Sequence, residues 1–356
     1  MSERRRVVFV LPTLLPGGAE RVLITLMNNL DPQRFDAHLL VLSEEGTLRS
    51  WVNPAIPFHS LGGVKVRTAL PPLIKKLNAL APDIVVSTMA AMNFTLLLTK
   101  PFLKKKTRFI VREAITPSFI IDKQVFPAMV KTAYKKLYPR ADVVLAPAQA
   151  IIDEFPKLLR MATKNFVMLP NPVDTARILE KSVAPRENAD QVHFIAAGRL
   201  HTQKGFDRLI DALPSIKQPF DWRLTILGAG PEEKDLKKRV AEKNLGGKVS
   251  LPGLSKNPWP LYGAADVFLL PSRWEGLPNV VLESLACGTP VIAMQEAGGI
   301  GEIAARAGGA VTIVQTMDDF IHAMEKIKPN LTTQYRPSLL PPDYELQKIM
   351  EKFTGL

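Results

Sequence analysis

Residues 271–290 limit what this chain can fold into more than any other stretch. An apolar run at 267–270 leads into them and a second, at 291–294, leads out, and both read as buried strands. Pro278 suits the first turn of an intervening helix, where its missing N–H costs nothing. Gly288 suits the left-handed position that ends such a helix. After a sharp turn through Gly276, a helix starting near Pro278 or Asn279 would aim free N–H groups and a positive dipole end at the mouth of a sheet. Two carboxylates bracket that anion site: Glu275 just before the helix and Glu283 inside it. A phosphate cradle flanked by two acids suits a ligand with a diphosphate in its middle and hydroxyls at both ends. That is the outline of a nucleotide-sugar.

The same alternation runs through the chain. Apolar runs at 7–11, 38–42, 84–87, 108–111 and 143–146 alternate with helical spacing at 19–30, 70–80, 94–103 and 125–137. Continuous apolar runs of strand length belong to parallel sheets covered on both faces by helices. A polar stretch at 185–191 interrupts the pattern, which restarts with strands at 193–197, 224–227 and 249–251 and a charged helix at 232–243. A chain of 356 residues is also too long for a single core. The expected fold class is α/β, with two doubly wound, Rossmann-like domains at 1–187 and 188–326 facing across a cleft. A Pro-rich crossover and terminal helix, 327–356, should return to the first domain, with the helix running from near Tyr344 to Phe353. Ligands bind such sheets beyond the carboxyl ends of the strands. This gathers 12–18, 88–93 and 112–117 around one cleft, with Gly17 and Gly18 letting backbone approach a ligand.

The net charge of +12 lies entirely in the first half. Residues 1–187 carry 27 Lys and Arg against 15 Asp and Glu, while 188–356 carry 19 of each. That asymmetry points to a negatively charged surface as partner of the first domain alone. The single cysteine, Cys287, has no internal partner and reads as a small buried helix residue in a reducing, cytoplasmic compartment. No apolar run approaches the length needed to span a bilayer. The basic start at Arg4, Arg5 and Arg6 precedes a run that stops at Pro12, so it is read as a first strand and not a signal peptide. The basic residues lack the regular aromatic interleaving of a nucleic-acid platform, so no nucleic-acid partner is expected.

The second half resembles family 4 of the retaining glycosyltransferases, of bacterial cell-envelope polysaccharide type, which have the GT-B architecture. The resemblance is carried by Ala197, Gly198, Arg199 and Leu200; by Lys204 and Gly205; by Leu227, Gly228, Ala229, Gly230 and Pro231; and by Ala265, Asp266 and Val267. It continues in Glu275, Gly276, Leu277, Pro278 and Asn279 with Glu283, which match the family's E-x7-E motif, and in Gly298, Gly299 and Glu302. In the first half, Pro16 to Glu20, the Arg112 and Glu113 pair, and Asn171, Pro172, Val173 and Asp174 also look like family members. The match is weakest over 46–106.

The resemblance implies retaining transfer of a sugar, from a UDP-sugar by preference, to a glycan or lipid-linked glycan in envelope polysaccharide or lipopolysaccharide synthesis. It implies Arg199 and Lys204 as the diphosphate-binding pair, Glu283 on the ribose hydroxyls, and Glu275 at the donor sugar. Gly276, Leu277, Pro278 and Asn279 would line the sugar and phosphate pocket, with Gly17, Gly18, Gly228 and Gly230 close to the donor. Neither an Asp-x-Asp pair nor a His/Cys cluster is present, so neither a metal nor another cofactor is expected, and fixed cations would carry the charge relief. The family's usual first-domain histidine has no counterpart between Thr88 and Pro117. Arg112 and Glu113 are the replacement candidates, and with Asn93 they are the acceptor-side residues. Glu113 either orients the acceptor hydroxyl or pairs structurally with Arg112.

Two basic clusters, Lys104, Lys105 and Lys106 with Lys100 and Arg108, and Lys131, Lys135 and Lys136 with Arg140, accompany apolar Val125, Phe126 and Met129. A basic helix with an apolar face can lie at an anionic membrane, and here that would be the inner face of the cytoplasmic membrane. The alternative is an ordinary core-facing helix with a solvated cationic side. Two further readings of the whole chain stay open at this level: a nucleotide-sugar epimerase of the same architecture, and, from another class, a nucleic-acid-binding protein.

Overall fold

In the computed structural model, residues 4–122, 125–182, 190–217, 219–330 and 336–356 are described. The chain forms two compact units, Met1–Pro172 with Gln347–Leu356, and Val173–Leu346. The expected boundary at 187/188 falls outside the described residues.

The first unit holds seven parallel strands, β1 Arg5–Leu11, β2 Phe35–Val41, β3 Phe58–Ser60, β4 Ile84–Thr88, β5 Arg108–Arg112, β6 Val143–Ala146 and β7 Phe166–Met168, in the order β3-β2-β1-β4-β5-β6-β7. Its helices are α1 Gly18–Asn28, α2 Leu70–Leu80, α3 Ala90–Thr99, α4 Pro117–Asp122, α5 Pro127–Leu137 and α6 Gln149–Leu159. The second unit opens with α7 Thr175–Lys181 and alternates from there. The series is β8 Val192–Ala197, α8 Phe206–Ala212, β9 Trp222–Leu227, α9 Glu233–Glu242, β10 Val249–Gly253, α10 Trp259–Ala264, β11 Val267–Leu270, α11 Asn279–Ala286, β12 Val291–Met294, α12 Ile300–Arg306, β13 Val311–Val314 and α13 Met317–Glu325. Its parallel sheet has the order β10-β9-β8-β11-β12-β13. The last helix, α14 Leu346–Thr354, lies almost wholly in the first unit, where the Phe353 ring sits 6.4 Å from that of Phe9 on β1.

Central strands come where continuous apolar runs predict them, because burial on both faces requires such runs. The strands β3 and β13 have no such run, and β7 has only the short apolar stretch 166–169. Each lies at a sheet edge, β3 and β7 are only partly buried throughout, and β13 buries only its end residues. Helix α3 starts at Ala90 rather than 94 and gives way at Lys100 to a single tighter turn carrying Pro101. Helix α5 starts at Pro127, so Val125 and Phe126 precede it.

Each sheet has one point where strand order reverses and ligands collect: β1/β4 in the first unit and β8/β11 in the second. The loops leaving these four strands carry most of the residues singled out above.

Candidate functional site

In the second unit the loop after β8 carries Gly198, Arg199 and Lys204, and the loop after β11 carries Glu275. These two strands are the neighbours at the reversal point. The structure brings Lys204 and Glu275 together: Lys204 Nζ lies 2.5 Å from Glu275 Oε1, and both side chains are mostly shielded, 16% and 8% exposed. Ser272 Oγ donates to the same carboxylate oxygen at 2.7 Å. The Lys204 stem runs over Gly198, where an added Cβ would meet its Cε at 3.0 Å. Any side chain at 198 would push the lysine off its path. Arg199 is exposed and has no hydrogen-bond partner among the described residues, so its guanidinium is available to an anion.

Gly276, Leu277 and Pro278 are buried, Pro278 caps α11, and Asn279 opens it. The first-turn N–H groups of α11 therefore stand directly after Glu275, as the sequence predicts. Glu283 is 7% exposed and sits on the buried side of α11. Burial, and then the charge of Glu283, push the neighbouring Cys287 thiol up to about 12, which leaves it an inert packing residue. Gly288 follows with φ +76°, ending the helix in the left-handed conformation.

Gly228 and Gly230 have a packing reason that the sequence does not disclose. A Cβ on Gly228 would lie 1.9 Å from the Gly198 carbonyl oxygen, and one on Gly230 would lie 2.2 Å from that of Leu200. Gly198 N donates to Leu227 O at 2.9 Å and Leu200 N to Ala229 O at 3.0 Å, so the loops after β8 and β9 are zipped backbone to backbone. Gly298 does the same for the Glu275 turn: its φ is +59°, its Cβ would meet Glu275 O at 2.1 Å, and Gly299 N donates to Gly276 O at 2.9 Å.

In the first unit Gly17 caps α1 with extended backbone and Gly18 begins it, so the loop after β1 does end in a glycine-led helix start. Beside it lies Glu20, 8% exposed, with its pKa raised by burial and only partly lowered again by its own backbone N–H. In the sequence this carboxylate stands only as the last residue of the Pro16 to Glu20 stretch, with no role assigned to it.

Asn93, Arg112 and Glu113 do come together, but under the surface, at 0%, 2% and 1% exposure. The Arg112–Glu113 ion pair considered above does not form. Arg112 Nη2 donates to Asn171 Oδ1, Glu113 accepts from the Tyr138 hydroxyl, and Asn93 Nδ2 donates to both Arg112 O and Tyr138 Oη at 3.0 Å. Arg112 ends β5 and Glu113 follows it, and their side chains take different partners. Burial pushes the Glu113 carboxyl up to about 7, against the pull of the Tyr138 and Tyr134 hydroxyls and of Arg112. Burial likewise lowers Arg112 to about 10. The cluster is a polar network inside the unit and offers no open surface to an acceptor.

The apolar residues of α5 and of the two positions before it are divided. Tyr134 and Leu137 are buried, while Val125, Phe126 and Met129 are 85%, 65% and 65% exposed. Lys135 and Lys136 are exposed on the same helix, and Lys104 and Lys106 on another loop. Lys100 and Lys105 are partly neutralised, by Asp142 at 2.9 Å and Asp83 at 2.7 Å. Among the described residues no helix is long and apolar enough to cross a membrane.

Known proteins match this arrangement from end to end. The model of Glycosyltransferase Family 4 matches residues 16–177 and that of Glycosyl transferases group 1 matches 178–334. The chain is a glycosyltransferase with the GT-B architecture, built from two Rossmann-like units. It is 29% identical over 299 residues to the N-acetylgalactosamine-N,N'-diacetylbacillosaminyl-diphospho-undecaprenol 4-alpha-N-acetylgalactosaminyltransferase of Campylobacter jejuni, covering 81% of this chain and 80% of the relative. Its fold matches Anabaena Alr3699/HepE in complex with UDP, with a TM-score of 0.77 at 18% identity and 98% of each chain covered. It also matches the apo form of the lipopolysaccharide outer core galactosyltransferase WaaB, with a TM-score of 0.72 at 17% identity and 98% of each covered.

Proposed function

We propose that this glycosyltransferase moves a sugar from a UDP-sugar to a hydroxyl of a glycan or lipid-linked glycan in envelope polysaccharide or lipopolysaccharide synthesis, with retention at the anomeric carbon and without a metal. The observation that carries the reading is the Lys204–Glu275 contact at the reversal point of the second sheet, beside the α11 N-terminus. The sugar–phosphate bond of a donor has a developing negative charge on one side and a developing positive charge on the other. A cation and a carboxylate held within one hydrogen bond of each other can serve those two sides. Arg199 and the α11 N–H groups add to the charge relief on the leaving diphosphate, the part a metal would otherwise play. Glu283, buried beyond them, would accept from ribose hydroxyls. In a front-face reaction the acceptor oxygen bonds the anomeric carbon as the bond to the phosphate oxygen breaks, and that phosphate oxygen takes the acceptor proton. No protein nucleophile is needed. The UDP-bound neighbour and the acceptor named for the Campylobacter relative support the choice of donor and of a lipid-linked acceptor.

A thermal-shift screen of UDP-, GDP- and ADP-sugars tests the donor. Stabilisation should be confined to the UDP class and lost in Arg199→Ala and Lys204→Ala. Equal stabilisation of wild type and both variants would refute the site.

The reading includes a membrane surface as working place, at the inner face of the cytoplasmic membrane. Support comes from apolar Val125, Phe126 and Met129 standing exposed beside exposed Lys135 and Lys136, which suits insertion among anionic headgroups. The protein should float with vesicles containing phosphatidylglycerol and not with pure phosphatidylcholine, and Phe126→Glu with Met129→Glu should abolish flotation. Absence of flotation with both vesicle types removes this part of the proposal.

A further inference from the structure

The turn that carries Glu275 is held by an arginine that no motif points to. Arg208, on the first turn of α8, donates through Nε and Nη2 to Pro271 O at 3.0 and 2.7 Å, and through Nη2 to Ser272 O at 3.0 Å. Its remaining nitrogen, Nη1, reaches Glu296 Oε2 at 2.8 Å. The Arg208 side chain is 18% exposed, so its bonds to the two carbonyls are partly shielded from water, while the Glu296 partner is 51% exposed. Gly205 makes the approach possible, since a Cβ there would lie 2.0 Å from Pro271 O and 2.9 Å from Arg208 Nε.

None of these bonds touches Glu275, but the segments they hold border it on two sides. Ser272, whose carbonyl Arg208 holds, presents its hydroxyl to Glu275 Oε1. Glu296, the other partner, lies two residues before Gly298, whose backbone packs on Glu275 O. The same helix answers with a second clamp: Arg273, two residues before Glu275, forks onto Asp207 at 2.7 and 2.8 Å and donates to Thr202 O at 2.7 Å. That clamp ties the turn to α8, but only Arg208 also reaches the 296–299 loop. A carboxylate on a turn after a strand has no sheet partners to fix it, so its position is set by such side chains.

We propose that Arg208 is a positioning residue for Glu275, fixing the sugar side of the donor site and leaving the nucleotide side alone. The proposal rests on the reading of Glu275 as a sugar-facing group. A lysine would keep the charge but lose the planar fork that grips two carbonyls and a carboxylate together.

Calorimetric titration of the full chain with UDP, and with UDP-glucose, UDP-galactose, UDP-N-acetylglucosamine and UDP-N-acetylgalactosamine, tests this in Arg208→Gln, Arg208→Lys, Glu275→Gln and Arg208→Gln with Glu275→Gln. Arg208→Gln should leave UDP affinity within about threefold of wild type and weaken whichever UDP-sugar binds by about tenfold or more, the scale of a lost charge-assisted bond. Arg208→Lys should recover only part of that loss. The double variant should be no weaker than Glu275→Gln alone, because a residue acting through another adds nothing once the other is gone. Parallel loss of UDP and UDP-sugar binding, full additivity in the double variant, or wild-type binding by Arg208→Gln would each overturn the assignment. Wild-type sugar binding by Glu275→Gln, or no binding of any of these probes by wild type, would instead strike the underlying reading of the site and take the inference with it. If Arg208→Gln fails to fold, the Arg208→Lys titrations decide alone, with parallel loss as the overturning result.

Discussion

Lys204→Ala should lower the rate of sugar transfer by about 10²–10³, the usual cost of removing one preorganised charge from a developing anion. Two losses combine. The leaving diphosphate forfeits a cation held at the reversal point of the sheet, and among the described residues Glu275 keeps only the Ser272 hydroxyl against its carboxylate while 8% exposed. The second loss should appear in the absence of substrate as a lower melting temperature, since stranding a shielded carboxylate carries its own cost of about 1–3 kcal/mol. Lys204→Arg should not rescue. The stem lies so close over Gly198 that a Cβ added there would stand only 3.0 Å from its Cε, and the guanidinium is broader than an ammonium. Transfer by Lys204→Ala within tenfold of wild type, measured with the donor that stabilises the wild type, would remove lysine from the chemistry.

Gly228→Ala should lower the melting temperature of the second unit by roughly 10 °C. The residue has φ +144°, and the new Cβ would lie 1.9 Å from the Gly198 carbonyl oxygen. Backbone strain and overpacking each cost about 1–3 kcal/mol, and a unit of this size loses about 2–4 °C per kcal/mol. The Cβ meets backbone and not a flexible side-chain end, so relaxation must move the loop after β8 and with it Arg199. Gly301→Ala is the matched control. It lies in α12 with no atom within 4 Å of its Cβ position and should melt at or slightly above wild type. Melting of Gly228→Ala within 2 °C of that control, well inside the roughly 10 °C expected, would show that the two loops do not meet as closely as described.

How much could be read without coordinates depends on the range of the interaction involved. The strand at 267–270, the helix at Asn279–Ala286 and its end at Gly288 follow from apolar runs, one proline and one glycine, all local signals. The edge strands β3 and β13 bury too little to need a continuous apolar run, and at β7 the run 166–169 is too short to tell a strand from other buried chain. Helical spacing over 125–137 suggests one apolar face, yet Tyr134 and Leu137 are buried while Val125, Phe126 and Met129 are exposed. Periodicity assigns residues to a face and is silent on what covers that face. Arg112 and Glu113 look like an ion pair because they are adjacent, yet distant parts of the chain supply their partners, Asn171 for one and Tyr138 for the other.

The amino-acid order alone settles the class of fold, the position of the reversal-point loops and the residue types gathered there, because burial and helix capping are decided within a few neighbours. Lys204 and Glu275 could be named from the chain, but their meeting across a gap of 71 positions could not. Neither could the fork of Arg208 on Pro271 and Ser272, nor the reason for Gly228. These belong to the tertiary structure, since a hydrogen bond or a backbone approach is fixed to tenths of an ångström by which strands lie side by side. In residues 271–290, the local code builds a helix start with free N–H groups, and the packing of α8 and the 296–299 loop holds the turn on which its glutamate stands.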